Sequence, residues 1–333
     1  MLEVTAMFVS TAVLVGVIRH WALRARLIDV PNERSSHSMP TPRGGGVAFV
    51  ITILSGAVLA GAAGRLRWPL VLALVVPGIV VAIVGLIDDR RGLPARVRIV
   101  VHFAAAAVGL AFLTAAYPTL ADGPTAIVAL AVATVGVVWM LNLVNFMDGI
   151  DGIAASEALF IAVASGCLVS WLHPESLWPP LLFGYAAANA GFLIWNWQPA
   201  RIFMGDAGSG FLGVTLGLTG VALWASGELP IATSIILASV FIADATTTLL
   251  RRIARGERWY AAHRSHAYQH LSRRFGSHAR VVVLMWAVNL GVVMPMAMAS
   301  VRWPAAGMAL AAAALALLGI LCLAAGSGSG KQH

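Results

Sequence analysis

Charge is what this chain has least of. Only 11% of its 333 residues are Asp, Glu, Lys or Arg, while 59% are hydrophobic and the mean hydropathy is +0.86. A water-soluble domain carries about 25% charged residues, so the composition excludes one and leaves an integral membrane protein. Acid is scarcer than base: 14 Asp and Glu face 22 Lys and Arg, a net charge of +8. In a membrane protein such an excess reports orientation and contact with anionic lipid headgroups before nucleic acid. Cysteine is almost missing. Cys167 and Cys322 both lie in apolar runs, where neither spacing nor setting supports a disulfide or a metal site. No basic stretch precedes the first apolar run, Leu2 to Ile18; Glu3 lies within it, and Arg19, Arg24 and Arg26 follow it. That order suits an uncleaved first span with its N-terminus outside, not a signal peptide. There is no repeat of fixed period. The closing GSGSGKQH reads as a flexible tail, so residues 1–325 are expected as one membrane-embedded domain and 326–333 as tail.

What the chain does have is long apolar runs. A span needs about 20 apolar residues, and candidates fall at 2–22, 46–64, 69–87, 99–117, 124–141, 153–173, 178–195, 209–226, 229–250, 280–300 and 303–325. The expected fold is all-α, a polytopic membrane protein of about eleven helices. Of the 22 Lys and Arg residues, only Arg65, Arg67 and Arg302 fall on the even-numbered connections. Positive residues favour the cytoplasmic side, which places the odd-numbered connections inside and the N-terminus outside. The polar stretches PNERSSHSMPTPRGGG, DDRRGLPARVR, NLVNFMDGIDG, NWQPARIFMGDAGSG and RRIARGERWYAAHRSHAYQH all lie on those connections. Chemistry confined to one face fits an enzyme with a water-soluble substrate better than a secondary transporter, which places polar groups near the midplane.

Asn142 to Gly152 carries Asn142, Asn145, Asp148 and Asp151 between two apolar runs. Such a stretch is costly beside hydrocarbon unless water, a metal or a polar ligand solvates it; a plain polar loop is the simpler reading of the motif alone. The adjacent Asp88 and Asp89 repel one another, which can leave one poised as a base, or they can share a hard cation such as Mg2+. Arg90 and Arg91 could equally neutralise both. Asp206 lies among Gly205, Gly208 and Gly210 at the start of a span, where helix amides can cradle a phosphate or metal-phosphate, or where Asp simply caps the helix. If their stretch is helical, His263, His266 and His270 share one face. No cysteine is near to complete a zinc site, so a basic surface for a diphosphate, with Arg264, competes with a lipid-facing segment. His37, Arg43 and the glycines after it suggest another anion contact, or a loop bent by its prolines. Asp244, inside the ninth span, is a functional candidate or a structural pairing with a neighbouring helix.

In PTPRGGG, GLIDD, NFMDGIDG, FMGDAGSG and HRSH, running in that order from about Pro31 to His270, the chain resembles the polyprenyl-phosphate N-acetylhexosamine-1-phosphate transferases, glycosyltransferase family 4. The resemblance implies that a membrane polyprenyl phosphate such as undecaprenyl phosphate attacks the β-phosphate of a UDP-N-acetylhexosamine and releases UMP, with Mg2+ (or Mn2+) as cofactor. It implies Asp88, Asp89 and Asp206 as catalytic residues, with Asp206 and Asp148 on the metal. Asn145, Asp148, Asp151, His263, Arg264 and His266 would bind the nucleotide sugar, and His37, Arg43 and Arg98 the lipid phosphate or diphosphate. Arg98 and His102 stand about where relatives carry a basic residue and Gln. The muramoyl-pentapeptide branch has three consecutive histidines where this chain reads HRSH, which favours the O-antigen-initiating branch in the bacterial inner membrane. A homodimer is compatible with the resemblance, and nucleic acid is not a partner. The longer acidic run of the CDP-alcohol phosphatidyltransferases is absent after Asp148.

Overall fold

The structure, a computed structural model, describes residues 1–31, 39–257 and 263–329. Its helices are α1 (Leu2–Arg24), α2 (Val47–Ala62), α3 (Trp68–Arg91), α4 (Ala95–Ala116), α5 (Ala126–Met147), α6 (Ile153–Leu172) and α7 (Trp178–Asn196). After these come α8 (Asp206–Ala225), α9 (Ile231–Leu237), α10 (Ser239–Ala254), α11 (Ala267–Phe275), α12 (His278–Val288), α13 (Met294–Arg302) and α14 (Gly307–Ala324). The protein is therefore an all-α, multi-pass membrane protein. Eight of the eleven expected spans are, among the described residues, helices long and apolar enough to cross a bilayer. The ninth expected span is broken: α9 and α10 meet at Ala238 with a bend of 72°. Among the described residues, α2, at 16 residues, and α7 complete the bundle without reaching that length and hydropathy. α12 and α13 form one span joined by a π turn, Asn289–Val293.

Local sequence sets the helix ends. Proline enters the first turn of α3 and of α7, where its missing N–H costs no hydrogen bond. Ser277 caps α12 by accepting from the Arg280 amide. Gly92, at φ +66°, turns the chain out of α3. Packing then sorts the helices. The apolar windows of α6 and α8 are 78% and 72% buried, against 11% for α1, so α6 and α8 run through the centre.

Two close crossings aim one end of α8. A Cβ on Gly85 would stand 2.5 Å from the Asp206 carbonyl carbon, and one on Gly46 would stand 2.5 Å from the Gly208 Cα. Only glycine permits backbones to approach this closely. Because Gly85 is one turn before Asp88 and Asp89, the crossing brings the end of α3 against the start of α8. The loops lace to the same place. A two-residue ladder pairs Ile28–Asp29 (β1) with Thr41–Pro42 (β2). Beyond it, Phe203 N donates to Pro42 O at 2.8 Å, while Gly45 N and Gly46 N donate to Phe203 O and Met204 O at 2.9 and 3.0 Å.

Part of the stretch expected as flexible tail lies among the described residues, and it is packed. Ser327 is fully buried, and Gly328 N donates to Ser265 O at 2.6 Å, so residues 326–329 are packed onto the bundle.

Replacing Gly85 by Val should force α3 and α8 apart, at a cost of about 1–3 kcal/mol or more for overpacking. The expected outcome is a clear fall in the thermal midpoint of the detergent-purified protein. An unchanged midpoint would contradict this account of the crossing.

Candidate active site

The end of α3, the start of α4, the end of α5 and the start of α8 meet at one end of the bundle. Asp88 accepts from Leu93 N through Oδ1 and from Arg98 Nη1 through Oδ2, each at 2.5 Å. The same Arg98 nitrogen stands 3.7 Å from Asp206 Oδ2. Arg98 is therefore the cation between two adjoining carboxylates. Asn145, on the last turn of α5, donates through Nδ2 to Asp206 Oδ1 at 3.0 Å and to Ser209 Oγ at 2.9 Å, fixing the carboxylate from the other side.

Asp89 faces elsewhere. Its Oδ1 and Oδ2 accept from the amides of Asp206 and Ala207 at 3.1 and 3.4 Å, and Arg43 Nη1 lies 3.8 Å from Oδ1. The glycine-rich start of α8, expected as a phosphate cradle, thus has its first two amides filled by a protein carboxylate. The helix dipole favours that anion as it would a phosphate. Gly205, at φ +78°, makes room: a Cβ there would stand 2.6 Å from Asp89 Oδ2. The exposures decide which acid can meet a ligand. The side chains of Asp88 and Asp89 are 7% and 9% exposed, that of Asp206 37%.

Arg43 also binds Asp29 at 2.8 Å. Burial lowers its pKa, but Asp29, Asp89 and Asp206 together raise it above the usual guanidinium range. Asp148 ends α5 and belongs to the same acidic group. Burial first, then Asp206, Asp89 and Asp151, push its carboxyl well above the ordinary carboxylate range. Among the described residues, no three His, Cys, Asp or Glu side chains converge as a complete metal-ligand set.

Asp151 has a different task. Its Oδ2 accepts from Ala200 N at 3.0 Å, and its Oδ1 lies 3.3 Å from His278 Nδ1, so it ties the 197–205 loop to the start of α12. Asn196 joins the same seam, accepting from Gly152 N and donating to Ile202 O, both at 3.0 Å. His102 is buried on α4. His37 lies outside the described residues.

The histidines do not share a helical face. The helix starts only at Ala267; His266 is its N-cap, with Gln269 completing a capping box, and His263 precedes it. The His263 and His266 rings pack 4.9 Å apart, and His266 also stacks on Phe146 and Tyr268 at 6.5 and 5.6 Å. His270, expected on the same face, contacts Arg273 Nη2 at 3.1 Å instead. Arg264 is half-buried, and its carbonyl accepts from Arg273 Nη2 at 3.3 Å.

Asp244 holds this loop. Its Oδ1 accepts from Ala267 N at 2.8 Å and from Thr248 Oγ1 at 3.1 Å, and lies 3.5 Å from His266 Nδ1; its Oδ2 accepts from Tyr268 N at 3.1 Å. Tyr268 then donates its hydroxyl to Phe146 O at 3.0 Å, with Gly149 leaving room for it. The histidine loop and the end of α5 are therefore one unit. Tyr268 was not foreseen from the sequence. Its signal is an amphipathic residue two positions past HRSH, and that is no signal without the fold.

A model of the family described as glycosyl transferase family 4 matches residues 71–224, which hold both ends of the carboxylate cluster. The probable undecaprenyl-phosphate N-acetylglucosaminyl 1-phosphate transferase of Bacillus subtilis is 27% identical over 287 residues, covering 84% of this chain and 79% of that protein. The decaprenyl-phosphate N-acetylglucosaminephosphotransferase of Mycolicibacterium smegmatis is 30% identical over 308 residues, covering 81% and 75%. A phospho-N-acetylmuramoyl-pentapeptide-transferase of Moorella thermoacetica is 32% identical over 161 residues, 47% of either chain. Fold and site define a multi-pass membrane protein with an acidic centre at one end of its bundle. The chain belongs to glycosyltransferase family 4, the polyprenyl-phosphate N-acetylhexosamine-1-phosphate transferases.

Two outcomes follow from this geometry. Asp244→Leu strips the Ala267 and Tyr268 amides of their acceptor, at about 1–3 kcal/mol for each buried unsatisfied group. Hydrogen exchange over residues 263–275 should accelerate sharply, and unchanged exchange would refute the anchoring role. Burial, then the neighbouring His266 and Arg252, lower the His263 pKa from 6.5 to about 4. The unfolded chain therefore binds a proton below pH 6.5 that the folded chain refuses until about pH 4, so stability falls as pH drops through that window. His263→Gln should flatten the thermal midpoint between pH 6.5 and 4; an unaltered pH slope would sink the assignment.

Proposed function

We propose that this protein transfers N-acetylhexosamine-1-phosphate from a UDP-sugar to undecaprenyl phosphate, releasing UMP, with its site on the cytoplasmic face of a bacterial inner membrane. The observation that carries the reading is Arg98 bridging Asp88 and Asp206, with Asn145 aiming Asp206, at the face where the basic residues collect. The named activities of the Bacillus and Mycolicibacterium relatives support it. So does the positive-residue asymmetry of the loops.

The reaction makes one bond from an acceptor phosphate oxygen to the β-phosphorus and breaks the bond from that phosphorus to the oxygen leaving with UMP. Such a transfer needs positioning and charge neutralisation more than covalent help. Asp88, its two oxygens taken by Leu93 N and Arg98, acts on the acceptor phosphate by aiming the Arg98 guanidinium at it. Arg98 offers cationic N–H donors to the phosphoryl oxygens. His263, Arg264 and His266 line the approach to the diphosphate. Asp151 and Asn196 keep the two neighbouring loops in register.

The donor set fits Mg2+, which prefers oxygen ligands and shares its shell with water and substrate phosphates. Asp206 is the exposed carboxylate, and Asp148, whose pKa burial raises first and Asp206, Asp89 and Asp151 raise further, belongs to the same acidic group. These two would hold the ion, with Mn2+ an acceptable substitute. When bound, it supplies neutralisation of the diphosphate charge. O-antigen or a related surface polysaccharide is the product line favoured by HRSH over three consecutive histidines. The muramoyl-pentapeptide reaction is the second reading, because a relative so named matches 47% of the chain.

Asp206→Asn and Asp88→Asn should each lower UMP release from UDP-N-acetylglucosamine and undecaprenyl phosphate by about 100-fold or more, with the thermal midpoint retained. Chelation should abolish turnover and added Mg2+ restore it. Full activity in both variants would remove the basis of the reading. A panel of UDP-sugars assayed for UMP identifies the donor.

A further inference from the structure

The short segment after α14 makes contacts that neither the fold nor the reaction has accounted for. Ser327 is fully buried, as is Thr248 beside it. Its Oγ bonds Thr248 Oγ1 and lies 3.5 Å from Asp244 Oδ1. Its carbonyl accepts from Arg251 Nη1 at 2.7 Å. The next residue crosses to the histidine loop, with Gly328 N donating to Ser265 O at 2.6 Å and Gly328 O accepting from Arg255 Nη1 at 2.5 Å. Ser329 Oγ then reaches to 3.4 Å from His270 Nε2. The backbone of this turn needs glycine: Gly326 and Gly328 sit at φ +99° and +66°, and a Cβ on Gly328 would meet the Arg251 side chain at 2.8 Å.

These bonds join three elements that are separate in sequence. Asp244, Thr248, Arg251 and Arg255 belong to α10, Ser265 lies in the loop between His263 and His266, and His270 lies on α11. Ser327 touches the very carboxylate oxygen that accepts from Ala267 N and faces His266. A glycine-serine segment with no apolar side chain would ordinarily stay in water, because it buries too little to offset its ordering entropy. Here Gly326 N and Ser327 N donate back to Leu323 O and Cys322 O of α14, while the Ser327 hydroxyl and carbonyl, both polar groups of Gly328 and the Ser329 hydroxyl reach α10, Ser265 or His270.

We propose that residues Gly326–Ser329 form a strap that holds the His263–His266 loop toward the acidic centre, with Ser327 a positioning residue acting through Asp244. The inference rests on the reading of that loop as a contact for the donor diphosphate. The strap touches no group of the Asp88, Asp148 and Asp206 cluster. It should therefore tune the donor side of the reaction and leave the acceptor side alone.

The test compares the full chain, a chain ending at Ala325, and Ser327→Ala in the full chain, all purified in one detergent. The first readout is acylation of His263 and His266 by diethyl pyrocarbonate, followed at each residue by mass spectrometry. The second is kcat and KM for UDP-N-acetylglucosamine and for undecaprenyl phosphate. Both altered proteins are expected to acylate about fivefold faster at His263 and His266, as a locally opened segment does. Their donor KM should rise about fivefold or more while the acceptor KM stays within about twofold, since misplacing a binding group weakens only the ligand it meets. If the shortened chain does not fold, Ser327→Ala, which removes a single hydroxyl, carries the comparison. Unchanged acylation and donor KM in Ser327→Ala would overturn the proposal, and so would an equal rise in both KM values, which marks general loosening. Faster acylation with no transferase activity in the full chain would leave the strap standing and defeat the functional reading instead. Full activity in the parent with unaltered protection in the variants would do the reverse.

Discussion

The carboxylate of Asp89 on the first amides of α8 is the contact on which the site depends. It fastens the end of α3 to the start of α8, and its neighbour Asp88 is thereby held beside Asp206. Such a contact satisfies helix donors that would otherwise be orphaned near the membrane boundary. It also leaves one carboxylate of the three, Asp206, open toward solvent. Gly85 and Gly205 are what let the two backbones approach closely enough for it to form.

The same device recurs on the other side of the site. Asp244, deep in α10, takes the Ala267 and Tyr268 amides at the start of α11, as Asp89 takes those of Asp206 and Ala207. Each acid lies on a membrane helix and grips the beginning of the segment that carries candidate ligand groups. Several acids of this acid-poor chain therefore act as anchors: Asp89, Asp151 and Asp244 organise, while Asp206 is left open to solvent. Glu157 and Asn289 form a further buried polar contact, at 2.6 Å, where the π turn brings the 278–302 span to α6. A polar side chain inside the bundle is tolerated when it finds such a partner.

Much of the architecture was legible because it follows from apolar run length. The eleven runs overlap helices at nearly their expected limits, and the motifs NFMDGIDG, GLIDD and FMGDAGSG do meet at one end. The break at Ala238 was not legible, since neither proline nor glycine stands between Ile231 and Leu250 to mark it. Nor was α11, a nine-residue amphipathic helix too short to show a period. The histidines would share a face only in a helix running through 263–270, and the helix begins at Ala267, where Asp244 and Gln269 fix its first turn.

By itself the sequence determined that this is a membrane protein, where its helices run, and which polar segments share a side, because these depend on local hydropathy and on counting charges. Tertiary structure alone decided which acids stay open to solvent and which hold the fold. Asp88, Asp89, Asp151 and Asp206 are the same residue type, and their difference lies in how fully partners from other segments cover their oxygens. Residues 326–329 teach the same lesson, for they read as solvated tail until α10, α14 and the 265–270 segment supply partners for them.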